Sequence, residues 1–131
     1  MRRTFYLVLV ICCIFGCHYD LITPKEQTMS AITETSVRAG IYLEKRGSRP
    51  QNIDQLPRRD GYLNRTTDGW GNPLIYLVDG DRLTIKSLGK DGISGGVGED
   101  AGVERRYYVE HGKLEEDTSF NHTAQKSDEA K

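Results

Sequence analysis

Residues 87–102 read SLGKDGISGGVGEDAG and set backbone freedom beside negative charge. Glycine stands at 89, 92, 95, 96, 98 and 102, and carboxylates stand at Asp91, Glu99 and Asp100. Three readings compete for such a stretch: a phosphate loop, a metal loop, or slack. Gly96-x-Gly98-x-x-Ala101 approximates a dinucleotide fingerprint, which needs a strand directly before it, a helix opening on the last glycine and a βαβ unit around it. None of these is indicated, and Glu99 and Asp100 would repel a pyrophosphate. An EF-hand does not fit, because Asp91 is not followed by that loop's alternating oxygen ligands. Gly95-Gly96-x-Gly98-x-Asp100 matches the start of the calcium-binding β-roll nonapeptide, but one copy builds no roll and position 102 is Gly rather than a large apolar residue.

The donor chemistry still suits calcium, which takes about six to eight oxygens from carboxylates, carbonyls and water. The loop offers the Asp91 and Asp100 side chains, Glu99 as a spare, the Leu88 carbonyl and a carbonyl between 96 and 98. The competing reading is an empty surface loop. Ordering residues 89–102 costs about 1–2 kcal/mol each in backbone entropy. Only Ile93, Val97 and Ala101 are available for burial there, so apolar contact alone does not offset that cost, whereas a bound cation would.

Other chemistry is sparse. His18, His111 and His122 lie near the ends of the chain, where solvated histidine is the ordinary state. No serine sits in a nucleophile elbow. Cys12, Cys13 and Cys17 have no His or Cys partners at zinc spacing. Formal net charge is −1, which gives no electrostatic reason to expect nucleic acid. Arg58-Arg59 and Arg105-Arg106 read as solvated faces, with contact to lipid headgroups as the lesser reading. No residue is assigned a catalytic role.

The elements that must hold the loop are few, since 131 residues make one modest domain. Arg2 and Arg3 precede an unbroken apolar run from Phe5 to Phe15, then Gly16 and Cys17, the pattern of an export signal. The run is shorter than the roughly 20 residues of a membrane span. Ile14-Phe15-Gly16-Cys17 resembles the lipobox of bacterial lipoproteins, with Phe15 bulkier than usual. That resemblance implies cleavage before Cys17 and a diacylglycerol on its thiol. The expected organisation is a signal peptide at 1–16, a lipidated Cys17 and tether over 17–25, a domain at 26–110, and a disordered polar tail at 111–131.

A helix is predicted from Glu26 to about Arg46. Thr23-Pro24-Lys25-Glu26 supplies an N-cap with proline at the first position, and Gly47 a stop. Its apolar stripe is Met29, Ile32, Val37, Ile41 and Leu43. Pro50 to Pro57 suggests one short helical turn with Ile53 and Leu56 inward. Residues 74–78 and 82–87 are β-rich runs around Asp79-Gly80, a hairpin signal, with Asp81 fitting a slightly longer turn. Tyr107–Val109 supplies a third strand. The expected fold is α+β, one long helix on a small, about three-stranded antiparallel sheet. Its predicted core is Ile32, Val37, Ile41, Leu63, Trp70, Tyr76, Leu83 and Ile85.

Asp68-Gly69-Trp70-Gly71-Asn72-Pro73 lies just before the hairpin and reads as a tight loop that folds a tryptophan onto the core. DGWGNPLIY followed by SLGKDGISGGVGEDAG resembles the C-terminal domain of the major pseudopilin of type II secretion systems, the protein G family. The resemblance spans about Ala31 to Asp100. This chain has Gly69 where the family has proline, Leu74 where it has an aromatic, and Gly102 where a second aspartate is common. The resemblance implies a pseudopilin-like fold and a calcium site held by Leu88, Asp91 and Asp100, with a further carbonyl such as that of Gly98.

Together these readings describe a non-enzymatic lipoprotein of the bacterial cell envelope, facing the periplasm or exterior. Its calcium-stabilised domain would serve as a structural or accessory part in protein secretion, with the membrane and envelope or secretion proteins as partners. A pseudopilin keeps its apolar segment after the processing site, whereas here the run precedes Cys17, which argues against a filament subunit. The alternative is an envelope hydrolase or small-ligand-binding lipoprotein using an Asp91/Asp100 metal, which would need an open coordination position and a pocket.

Overall fold

The computed structural model describes residues 22–120. The expected signal peptide, Cys17 and residues 121–131 of the expected tail lie outside the described residues. Four antiparallel strands follow one long helix, in the sheet order β1-β2-β3-β4. Helix α1 is Pro24–Arg46. Strands β1 to β4 are Ile75–Asp79, Arg82–Ser87, Val103–Glu110 and Lys113–Glu116. Among the described residues no helix is long and apolar enough to cross a membrane.

The start of α1 follows from its sequence. Thr23 Oγ1 accepts from Glu26 N at 3.2 Å, and Glu26 Oε2 accepts from Thr23 N at 2.7 Å. This reciprocal box holds the Glu26 carboxyl below its usual range, chiefly through the hydrogen bond from the Thr23 backbone. Lys45 and Arg46 complement the far end, where Gly47 at φ 67 donates its N–H to Leu43 O at 2.8 Å.

The buried face of α1 differs from the predicted stripe. It consists of Thr28, Ala31, Ile32, Thr35, Ser36, Arg38, Ala39 and Leu43, while Val37 is 41% exposed. Small side chains let the helix lie close on the sheet. The Thr28 and Thr35 hydroxyls donate to the carbonyls of Pro24 and Ala31, at 2.8 and 2.7 Å, so they are buried without an unmet polar group. Arg38 is buried against backbone acceptors: Nε donates to Pro57 O at 2.8 Å and Nη2 to Leu56 O at 3.2 Å. It thereby clips the short 3-10 turn Ile53–Gln55 to the helix.

The sheet's inward row holds Leu83 and Ile85 at its centre, with Tyr76, Val78, Val103, Tyr107 and Leu114 around them. Ala31, Ile32, Ala39, Leu56 and Leu74 complete the core. Four predicted core members are corrected. Leu63 is 72% exposed, Val37 faces outward, and Ile41 and Trp70 are half-buried outside the cluster. The hairpin turn is also shorter than expected. Asp79 pairs with Arg82, leaving Gly80-Asp81 as a two-residue turn with Gly80 at φ 55. The sheet has a fourth strand, Lys113–Glu116, in the segment expected to begin a disordered tail. Its Leu114 packs on the core, and Arg105 pairs with Glu116 across the two strands. One apolar residue among charges gives no visible alternation, yet the Gly112 turn (φ 76) folds it back onto β3.

Candidate metal centre

The inward row of β2 ends not in an apolar side chain but in Ser87, which is 2% exposed. Its hydroxyl donates to Asp68 Oδ2 at 2.6 Å and accepts from Gly89 N at 3.0 Å. Asp68 is itself 3% exposed. Its Oδ1 accepts from Trp70 N at 3.0 Å and from Asn72 N at 2.8 Å, which folds residues 68–72 into a closed loop around one carboxylate. Asn72 Nδ2 then reaches back to Gly89 O at 2.9 Å and Lys90 O at 3.2 Å. The tryptophan loop and the start of the glycine-rich loop are thus one hydrogen-bonded unit. Buried charge-assisted bonds of this kind are strong, and each leaves a costly orphan when its partner is removed.

Beyond Lys90 the loop closes on Asp100. A Cβ at Gly89 (φ 89) would come within 2.5 Å of Asp100 O, and one at Gly96 (φ 88) within 2.7 Å. These two glycines are required by close approach as well as by backbone conformation. Lys90 N donates to Glu99 O at 2.9 Å, and Lys90 Nζ pairs with Glu99 Oε2 at 2.7 Å. The Glu99 hydrogen bond raises the Lys90 amine above its ordinary value. Glu99, the spare carboxylate, is therefore engaged by a lysine. Asp91 Oδ1 accepts from Ile93 N at 2.9 Å, a local turn that fixes its side chain. Gly98–Asp100 is a short 3-10 turn, with Gly98 at φ 64, and Leu88 is half-buried where β2 enters the loop. A cleft of about 150 Å³ opens between the loop and the ends of β2 and β3, lined by Ser87, Leu88, Ser94, Gly95 and Gly102 among others.

The donor set matches a hard, oxygen-seeking cation. It contains no thiol or imidazole, and Gly89 and Gly96 pack closely on the main chain of Asp100. Among the described residues no three His, Cys, Asp or Glu side chains gather closely enough to hold a metal by themselves. The expected set of Leu88, Asp91, Gly98 and Asp100 therefore offers a cation at most two carboxylates, with backbone carbonyls and water for the rest.

The family model for type II secretion system (T2SS), protein G matches residues 42–106. That stretch, just under half of the chain, is similar to type II secretion protein G. The matched stretch runs from the last turn of α1 through the Asp68 loop, the hairpin and the glycine loop into β3. The braced pair of loops therefore lies wholly inside the matched residues, while β4 and most of α1 lie outside them. No curated protein gives a significant match to the chain.

Asp68, Trp70, Gly71, Asn72 and Pro73, which the sequence marks as a structural motif, form one loop, closed by a Thr67–Pro73 bridge. Ser87 is the member of the site that sequence reasoning missed. The available signal was the alternation Leu83-x-Ile85-x-Ser87, which places a hydroxyl at an inward position.

Proposed function

We propose that this chain is a lipid-anchored, non-enzymatic envelope protein whose protein G-like domain acts as a structural or accessory part of type II secretion and is stapled by calcium. The protein G match over the braced loops carries the reading. Cys17, at the end of the apolar run, supports the anchor, and the oxygen-only donors Asp91 and Asp100 in a glycine-rich loop support the cation. An accessory place beside the apparatus, rather than within a filament, is favoured by the start of α1. The helix opens on a complete capping box at Thr23, and Gly69 lies against the Pro24 carbonyl.

In the host, loss of the chain should lower the amount of type II substrates outside the cell, and the wild-type gene should restore it. The Cys17→Ser variant should lose acyl labelling and leave the membrane fraction. Secretion unchanged by the deletion would contradict the secretion role, and a labelled Cys17→Ser protein would contradict the anchor.

A further inference from the structure

The loop between Pro57 and Thr67 presents apolar side chains that the core does not use. Tyr62 is 54% exposed, Leu63 72% and nearby Ile22 64%. Ile22, Leu63 and Arg65 line one shallow groove of about 130 Å³ against α1. The loop is rigid for a surface segment. Asn64, at φ 53 and 8% exposed, donates through Nδ2 to Arg59 O and Tyr62 O, both at 2.8 Å, and accepts from Arg59 N at 2.7 Å. Arg65 Nη1 donates to Gln27 Oε1 at 2.8 Å, and Gln27 Nε2 donates to Ile22 O at 3.1 Å, tying the groove's rim together.

The loop is basic: it carries Arg58, Arg59 and Arg65 against a single acid, Asp60. The Arg59 guanidinium lies 3.6 Å from the centroid of the Tyr62 ring. Glu34, which also lines the groove, accepts from Asn64 N at 2.9 Å, and Glu26 is bonded to Thr23. Leucine and tyrosine tips beside Arg59 and Arg65 suit the boundary between headgroups and acyl chains of an anionic bilayer.

We propose that the Tyr62–Leu63 surface docks on an anionic lipid membrane and holds the domain with the N-terminus of α1 toward the bilayer. The inference rests on the anchor at Cys17. From Cys17 to Ile22 the chain reaches at most about 17 Å, which keeps the patch beside the membrane. Asp81, in the hairpin turn, lies at the other end of the molecule, where Arg49 beyond the helix C-terminus donates to Gly80 O and Arg82 O.

The test holds residues 18–131 to vesicles through an N-terminal hexahistidine on nickel-chelating lipid, in phosphatidylglycerol and phosphatidylcholine. A photoreactive p-benzoylphenylalanine is placed at position 63 or at position 81. Lipid cross-linking at 63 should exceed that at 81 by about fivefold or more, and Arg58→Glu/Arg59→Glu should lower it to the level at 81, as should high salt. Equal yields at the two positions, or a yield indifferent to the charge reversal, would overturn the proposal; so would transfer of the cross-link at 63 to a protein in native envelopes with no lipid adduct. Because the tag replaces the acyl chain, the result is independent of whether Cys17 is lipidated. Thermal melts of the charge-reversed chain confirm that its fold is intact.

Discussion

Ser87 Oγ donates to Asp68 Oδ2 at 2.6 Å, across 19 residues of sequence and inside the protein. This bond joins a loop before the hairpin to the loop after it, so the two distinctive motifs of the chain are halves of one structure. Asp68→Ala should cost about 2–4 kcal/mol, because it strands the Trp70 and Asn72 amides and the Ser87 hydroxyl together. Ser87→Ala should cost about 1–3 kcal/mol. Urea unfolding of both variants and the double mutant should give a coupling above about 0.5 kcal/mol, and additive losses would show that the bond contributes nothing.

Gly69 touches the start of the helix. Its N–H donates to Thr28 Oγ1 at 2.9 Å, and a Cβ there would overlap the Pro24 carbonyl. Gly69→Ala should therefore force the first helical turn off the tryptophan loop and destabilise the chain by about 1–3 kcal/mol. Gly40, in the middle of α1, has open space where a methyl group would stand. Gly40→Ala should stabilise by about 0.5–1 kcal/mol. Denaturation midpoints shifting in opposite directions check the pair; a neutral Gly69→Ala would refute the close approach.

High pH should weaken the fold at two tyrosines. Burial pushes Tyr76 up to about 12, and burial also raises Tyr107. Both folded values exceed the unfolded value of about 10. Their contribution is therefore intact below pH about 10 and is lost as pH rises through the folded values. The urea midpoint should fall between pH about 10 and 12, and Tyr76→Phe should flatten part of that fall. An unchanged slope in Tyr76→Phe would exclude this residue as a cause.

The helix ends are legible in the sequence because capping is local: Thr23, Pro24, Glu26 and Gly47 act on neighbours within four residues. The hairpin follows from two β-rich runs. The buried helix face is not legible from side-chain size. Thr28 and Thr35 are buried because each hydroxyl finds the carbonyl four residues back, whereas the periodicity of large apolar residues points to Val37. Hydropathy likewise points Leu63 to the core, yet the Asn64 turn directs it outward. Strand β4 carries a single apolar contact, Leu114, and depends on pairing with β3, a tertiary effect without a local signal. In the candidate metal loop, residue types give the donor chemistry. That Asp100 lies between Gly89 and Gly96, and that Glu99 is held by Lys90, depends on how the loop closes.

The calcium staple is the part of the proposed function that bears directly on the stability of the braced loops. Ile93 and Val97 are 66% and 85% exposed, so the loop is not held by apolar burial. A ligand at about 100 times its dissociation constant stabilises by about 2.7 kcal/mol. For a domain of this size that corresponds to a rise in Tm of roughly 10 °C. The decisive measurement is the thermal melt of the chain in calcium against chelator, for wild type, Asp91→Ala and Asp100→Ala. A staple gives a calcium-dependent rise in wild type that both variants lose while still melting cooperatively in chelator. A wild-type Tm indifferent to calcium, or a rise that survives both substitutions, would contradict it.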